Sequence, residues 1–326
     1  MFIHPSKILF FLFLMFSIFI TISANSWFIA WIGLEINLLS FIPFILKKNK
    51  YSFESALKYF LIQTIASIMI LYSAILIFIN LNLSPLALTL GLLMKLAAAP
   101  THQWLPSMID GMSWPSILLL LVAQKINPFI LLIFFLEKSM FSKIILFFTL
   151  FSAIIGSIGG LLQTSIRKIL AYSSISHMAW LLTSISLNNK LWFSYFILYS
   201  VILLTIIYPI HILQMNTLNQ LIMNYTPNSN ILILLSLLSM GGMPPFTGFL
   251  PKLLVIQELN YYSLFLPLTY LLSSTLISLF FYFRLTILTI MFLPHKNKLS
   301  SFKNMPLSIS FINIMGLTIP SLLFIF

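Results

Sequence analysis

Four charged side chains lie in the middle of apolar stretches that are long enough to cross a membrane: Glu35, Lys95, Lys125 and Lys252. A charged residue at the centre of a transmembrane helix disfavours insertion by about 2.5–3.5 kcal/mol. Ionisable residues at this depth are rare and are typical of ion or proton pathways, where partners inside the protein compensate for the lost hydration. The four residues therefore predict a site that moves ions or protons.

The residue types indicate how such a site would work. An acid beside a lysine stabilises the charged forms of both groups, whereas separation in an apolar environment favours the neutral forms. Lysine, unlike arginine, can lose its proton under these conditions. A movable acid–lysine pair can thus act as a protonation switch. The alternative is that each lysine extends to the membrane surface, which applies most to Lys252 because its depth depends on a predicted helix break.

Two histidines, His102 and His177, are the other protonatable side chains at membrane depth. His177 follows a serine-rich stretch, residues 173–176, whose hydroxyl groups could hold water and relay protons. A hydrogen-bonded packing role is an equally good interpretation of His177. No further signal points to haem, and we expect no metal or other cofactor in this chain.

These residues must be positioned by membrane-spanning helices. The chain of 326 residues is 60% hydrophobic and only 7% charged, and about 20 apolar residues are needed for each span. Lipid offers no partners to the backbone, so such segments form helices. We predict an all-α membrane protein, a single transmembrane domain over residues 1–326, with about eleven spans near 3–23, 26–46, 55–80, 84–106, 114–135, 143–163, 168–187, 191–213, 231–258, 264–292 and 306–326.

Two of the predicted spans are interrupted by glycine and proline. The fourth span continues as residues 95–106 (KLAAAPTHQWLP), and the ninth contains residues 241–252 (GGMPPFTGFLPK). Proline removes a helical hydrogen bond and clashes with the preceding turn, so both helices should break within the membrane. A matching pair of broken helices is the best sequence indicator of a transport site. A simple kink is the alternative.

The basic residues predict the orientation. If the N-terminus defines one side, that side carries Lys7, Lys47, Lys48, Lys50, Arg167, Lys168, Lys296, Lys298 and Lys303, and the other carries Lys138, Lys143 and Lys190. The positive-inside rule then puts the N-terminus on the matrix or cytoplasmic side, and an odd number of spans puts Phe326 on the opposite side. The first apolar segment is predicted to be a helix rather than a cleaved signal peptide.

Composition excludes several other classes. The net charge of +12 lies in short connections rather than on a basic face with interleaved aromatic residues, so we expect no nucleic-acid binding. Cysteine is absent, which excludes disulfides, thiolate metal sites and cysteine-bound iron–sulfur clusters.

The same segments resemble the NADH-ubiquinone oxidoreductase chain 2 family, the mitochondrial antiporter-like membrane subunits of respiratory complex I. The resemblance runs from the first span to the last and is carried by residues 31–37 (WIGLEIN), 95–106 (KLAAAPTHQWLP), 124–128 (QKINP), 173–180 (SSISHMAW) and 241–252 (GGMPPFTGFLPK). Asn127 departs from the small or apolar residue that is usual there.

The resemblance implies an antiporter-like fold, shortened from fourteen helices, in a multi-pass subunit of the mitochondrial inner membrane. It implies that Glu35 pairs with Lys95, that Lys125 is the central proton relay and that Lys252 ends the path. It also implies a hetero-oligomer with other membrane-arm subunits, antiporter-like neighbours among them, and with lipids. NADH, FMN, iron–sulfur clusters and ubiquinone would be bound by other chains.

Three functions remain open from the residues alone: a proton-translocating subunit driven by redox chemistry elsewhere, an independent cation/proton antiporter, and a structural subunit that moves nothing. The resemblance favours the first over the second. The third leaves four buried charges and two broken helices unexplained.

Overall fold

The computed structural model describes residues 5–47, 49–79, 84–134, 139–218, 220, 227–291 and 313–314, and within this part of the chain it contains helices but no strands. The chain divides into two compact units, Met1–Phe148 and Thr149–Phe326. Helix α8, Ser139–Leu161, spans the boundary between the two units. The first unit holds α1 Pro5–Ile22, α2 Trp27–Ile45, α3 Lys50–Phe78, α4 Ser84–Lys95, α5 Trp104–Ile109, α6 Trp114–Leu121 and α7 Ala123–Ile133.

The second unit contains a helix, α9 (Ile166–Leu187), that is buried along most of its length. Its helices after α8 are α9 Ile166–Leu187, α10 Asn189–Leu213, α11 Pro227–Gly241, α12 Phe249–Tyr261 and α13 Phe265–Met291. Helix α9 is buried along most of its length even though it carries serines and a histidine. A polar helix that is buried in this way must satisfy its side chains inside the protein.

Seven of the predicted spans correspond, within the described residues, to helices or helix pairs long and apolar enough to cross a membrane: the first, second, third, fifth, sixth, eighth and tenth. The fourth and ninth are each built from two shorter helices, and the seventh is the polar helix α9. The eleventh span lies outside the described residues except for Asn313 and Ile314. The architecture is therefore all-helical and membrane-spanning as predicted, whereas the count of eleven stays a prediction.

Both predicted breaks are present, at residues 96–103 and 242–248. The fifth span has an additional interruption of one residue at Val122, between α6 and α7, which was not predicted from the sequence. This break matters for the site because Lys125, expected near the centre of a continuous helix, lies instead in the first turn of α7.

Candidate functional site

Lys95 and Lys125 line one buried cavity in the first unit. Their relative exposures are 7% and 3%. The cavity has a volume of about 20 Å³, and about 10–15 Å³ is enough to hold one water molecule. Its uncharged polar lining consists of Asn37, Tyr59, Gln63 and Gln124. Two lysines that are separated by 30 residues in sequence thus share one polar space.

The end of α4 is closed by a Schellman motif, which places Lys95 in its last turn. The Ala97 N–H donates to the Met94 carbonyl and the Ala98 N–H to the Leu93 carbonyl, both at 3.1 Å. Ala97 adopts a positive φ of 57°, as the residue after the cap in this motif does. A positive charge is favoured at the carbonyl end of a helix, so the break gives Lys95 a favourable position.

Three polar side chains that line the same cavity are joined by hydrogen bonds. The Tyr59 hydroxyl donates to Gln124 Oε1 at 2.9 Å, and Gln124 Nε2 donates to Asn37 Oδ1 at 2.8 Å. The three residues belong to α3, α7 and α2, so the chain joins three helices. Gln124 precedes Lys125 directly. This chain was not predicted, although a glutamine and an asparagine within apolar spans were the available signal.

The structure does not bring Glu35 and Lys95 into contact. The two side chains interact electrostatically, but the one ion pair found within 4.0 Å among the described residues joins Lys58 to Glu54. Glu35 is partly exposed, whereas Lys95 is buried. The contact between Glu35 and Lys95 that the resemblance implies is therefore not formed in this structure.

His102 lies in the break between α4 and α5 and is buried. Its Nδ1 is 3.2 Å from the Pro100 carbonyl oxygen, and because a carbonyl accepts, this nitrogen carries the proton. His102 is not among the residues that line the Lys95–Lys125 cavity. Its local hydrogen bond favours a packing role in the turn.

In the second unit, the break after α11 is closed by the same motif as the break after α4. The Gly242 N–H donates to the Ser239 carbonyl at 3.0 Å and the Met243 N–H reaches the Leu238 carbonyl at 3.5 Å. Gly242 has a φ of 81°. The motif leaves the last carbonyls of α11 available to other donors.

Lys252 and His177 bind the carbonyls of the last two residues of α11, Gly241 and Met240. Lys252 Nζ donates to the Gly241 carbonyl at 2.7 Å, and His177 Nε2 lies 3.2 Å from the Met240 carbonyl. Since that carbonyl can only accept, His177 Nε2 is protonated. His177 Nδ1 is 2.9 Å from the Tyr195 hydroxyl. The structure therefore brings the two predicted residues to successive carbonyls at one helix end.

Asn313 closes the polar junction at this break. Its backbone carbonyl accepts from the Thr247 N–H at 3.1 Å, and its Oδ1 accepts from Thr205 Oγ1 at 3.1 Å and Ser239 Oγ at 3.3 Å. Asn313 is fully buried. Sequence reasoning did not identify it because the contacts join distant parts of the chain.

A basic side chain also caps α8. Arg284 Nη1 donates to the Leu161 carbonyl at 2.8 Å and Nη2 to the Gln163 carbonyl at 3.0 Å. Guanidinium groups provide several donors in a fixed plane, which suits two neighbouring carbonyls. In the second unit, basic side chains thus satisfy the carbonyl ends of two helices.

Comparison with known proteins assigns the class. Residues 24–278 match the family described as NADH:quinone oxidoreductase/Mrp antiporter, transmembrane. A chain of respiratory complex I from Thermus thermophilus has the same fold with a TM-score of 0.82, 21% identity and coverage of 98% of this chain and 78% of that one. A chain of the Mrp complex from Dietzia sp. has a TM-score of 0.72, 16% identity and coverage of 91% and 61%. The fold is that of the antiporter-type membrane subunits.

More similar relatives narrow the class. NADH-ubiquinone oxidoreductase chain 2 of Anopheles gambiae is 42% identical, with 98% of both chains covered. The protein of the same name from Locusta migratoria is 36% identical, with coverage of 97% of this chain and 96% of the relative. The chain belongs to the NADH-ubiquinone oxidoreductase chain 2 family.

Proposed function

We propose that this chain is a proton-translocating membrane-arm subunit of respiratory complex I. The observation that carries the proposal is the cavity of the first unit, in which two buried lysines, Lys95 and Lys125, meet a polar lining. Membership of the chain 2 family and the antiporter-type fold support it.

In the first unit, the movable element is the Glu35–Lys95 pair. When the carboxylate approaches, the charged form of Lys95 is stabilised, and when it withdraws, the buried ammonium gives up its proton more readily. Lys125 lines the same cavity and is the acceptor for that proton. One water molecule in the cavity would provide the path between the two lysines.

In the second unit, Lys252 is the proton carrier and His177 is a relay candidate. The last carbonyls of α11 stabilise the ammonium of Lys252 because the carbonyl end of a helix carries partial negative charge. Discontinuous helices provide ion-binding carbonyls of this kind in transporters. A change in the break geometry would therefore alter the protonation of Lys252.

The energy for translocation comes from partner subunits. Moving one charge across the membrane requires about 2.3 kcal/mol per 100 mV, and we expect NADH, FMN, iron–sulfur clusters and ubiquinone to be bound by other chains of the complex. This chain acts as a translocase without a redox centre of its own.

We assign the chain to the mitochondrial inner membrane as a multi-pass subunit, next to other antiporter-like subunits and lipids. The charge distribution supports an N-terminus in the matrix and a C-terminus in the intermembrane space. Large apolar side chains such as Phe16, Phe19 and Phe280 are more than half exposed and suit contact with lipid or neighbouring helices.

An independent cation/proton antiporter is the second candidate, since the fold is shared with a chain of an Mrp complex. The purified chain in liposomes distinguishes the two candidates. Sodium–proton exchange without partner subunits would favour the antiporter.

The central experiment changes Lys125 to Ala in the assembled complex. We expect fewer protons pumped per NADH oxidised, with normal assembly. Lys58→Ala is the matched control because this lysine is 40% exposed and pairs with Glu54 outside the cavity. An unchanged pumping ratio for Lys125→Ala in a correctly assembled complex would exclude the role of Lys125.

A further inference from the structure

The polar chain Asn37–Gln124–Tyr59 differs from most buried polar groups in the first unit. The hydroxyls of Ser40, Ser67 and Ser73 each donate to a carbonyl three residues earlier in their own helix. The amide of Gln124 instead connects two other helices, through Asn37 on α2 and Tyr59 on α3. Hydrogen bonds between distant helices fix their relative position, which a bond within one helix cannot do.

Gln124 lies directly after the interruption of the fifth span. Val122, with φ −112° and ψ −71°, interrupts the fifth span, and α7 begins at Ala123. The first N–H groups of a helix lack intrahelical partners. Lys125 N–H bonds to the Val122 carbonyl at 3.2 Å, so the turn is closed locally. The side chain of Gln124 provides the tether from this turn to α2 and α3.

The directions of the two hydrogen bonds also fix the amide. Tyr59 donates its only hydroxyl proton to Gln124 Oε1, and Gln124 Nε2 donates one of its two protons to Asn37 Oδ1. The second proton of Nε2 and the lone pairs of the Tyr59 oxygen remain available. All three residues line the cavity that contains Lys95 and Lys125, so these groups can orient a water there.

We propose that Gln124 is a positioning residue for proton exchange between Lys95 and Lys125. Its amide, anchored on α2 and α3, holds the first turn of α7 so that the Lys125 side chain stays at the cavity, and it orients the connecting water. This inference rests on the proposed proton-translocating function.

The test uses Gln124→Met and Tyr59→Phe in the assembled complex. Met keeps the length of the side chain but removes both hydrogen bonds, whereas Phe removes one oxygen atom and retains the ring contacts of Tyr59 with Phe41 and Trp104. Each lost hydrogen bond should slow proton transfer between Lys95 and Lys125 about two- to tenfold. We expect the larger effect for Gln124→Met, with protons pumped per NADH reduced while NADH oxidation continues.

Coupling between the two residues distinguishes positioning from general destabilisation. The double variant should pump no worse than Gln124→Met alone, because the Tyr59 bond is already lost there. Ser67→Ala is the control: it removes a buried hydroxyl from α3 whose hydrogen bond stays within that helix, and its pumping ratio should equal that of the unmodified complex.

The outcomes separate the two proposals. If Lys125→Ala lowers the pumping ratio but Tyr59→Phe and Gln124→Met do not, the positioning role is overturned and the proposed function stands. If Lys125→Ala itself has no effect, Lys125 has no role in the proposed function, and the positioning role of Gln124 fails with it. Should Gln124→Met prevent assembly, Tyr59→Phe decides, and a normal ratio for that variant contradicts the positioning role.

Discussion

The two compact units hold their buried lysines by different means. In the first unit, Lys95 and Lys125 line a cavity large enough for water, and a side-chain network forms part of its lining. In the second unit, Lys252 is bound directly to the carbonyl of Gly241, and His177 is bound to that of Met240. The cavity of the first unit leaves room for a water molecule that can carry a proton. In the second unit, backbone carbonyls are fixed acceptors for Lys252 and His177.

Both arrangements depend on a helix that ends in the same way. The Schellman motifs after α4 and α11 each need a residue with positive φ, supplied by Ala97 in one unit and Gly242 in the other. The carbonyl end of a helix attracts positive charge. The ends of α4 and α11 therefore favour the positive charges of Lys95 and Lys252, whereas Lys125, in the first turn of α7, gains nothing from this effect.

The largest effect is expected at Gly248, where the second break is closely packed. A Cβ atom added at Gly248 would lie 1.6 Å from the backbone carbonyl oxygen of Ser239, so Gly248→Ala requires movement of the backbone itself. We expect little or no assembled complex, measured by native gel electrophoresis of solubilised membranes.

Gly33→Ala is the counterpart in the first unit. There the added methyl group would first meet Thr21 Cγ2, at 2.5 Å, and a side chain can adjust more readily than a carbonyl. Assembly of the Gly33→Ala complex should exceed that of Gly248→Ala. Equal assembly of both variants would show that the backbone at Gly248 accepts an added methyl group as readily as the contact between α1 and α2 at Gly33 does.

Smaller effects are expected from removing the side-chain donors at the carbonyl ends of α11 and α4. His177→Phe leaves the Met240 carbonyl of α11 buried without its donor, and we expect a loss of about 1–3 kcal/mol in the stability of the assembled complex. Trp104→Phe also removes a donor, from the Met94 carbonyl of α4, but Ala97 N–H still binds that oxygen. Its effect should be smaller, as measured by thermal unfolding of the purified complex.

His177→Gln shows whether His177 only caps the helix. Glutamine can still donate a proton to the Met240 carbonyl, but it does not titrate near neutral pH. Normal stability with fewer protons pumped per NADH is the result expected for a relay. Normal values of both quantities would assign His177 to packing.

The sequence predicted the parts of this site that have local signals. A charge in an apolar span is visible without a structure, and so are glycine and proline in the two breaks. The break at Val122 has no such signal, since the nearest proline, Pro128, lies further along α7. The position of Lys125 in a first helical turn was therefore missed.

The side-chain networks could not be predicted because they join distant parts of the chain. Tyr59 and Gln124 are 65 residues apart, and Gln124 and Asn37 are 87 apart. Periodicity indicates that a polar residue faces the interior, but it does not indicate which partner it meets. The Glu35–Lys95 contact that the resemblance implies is not formed within 4.0 Å in this structure and stays a prediction.

The smallest effects are expected from substituting the residues with positive φ that follow α4 and α11. Ala97→Gly removes the steric cost of a left-handed alanine, about 1 kcal/mol, and should raise the thermal stability of the complex slightly. Gly242→Ala introduces that cost and also places Cβ 2.8 Å from Lys252 Cδ and 2.9 Å from its Nζ. We therefore expect opposite signs, with reduced pumping only for Gly242→Ala, because its methyl group displaces the ammonium from the Gly241 carbonyl. If Gly242→Ala lost stability but pumped normally, the contact between Lys252 and that carbonyl would not contribute to transport.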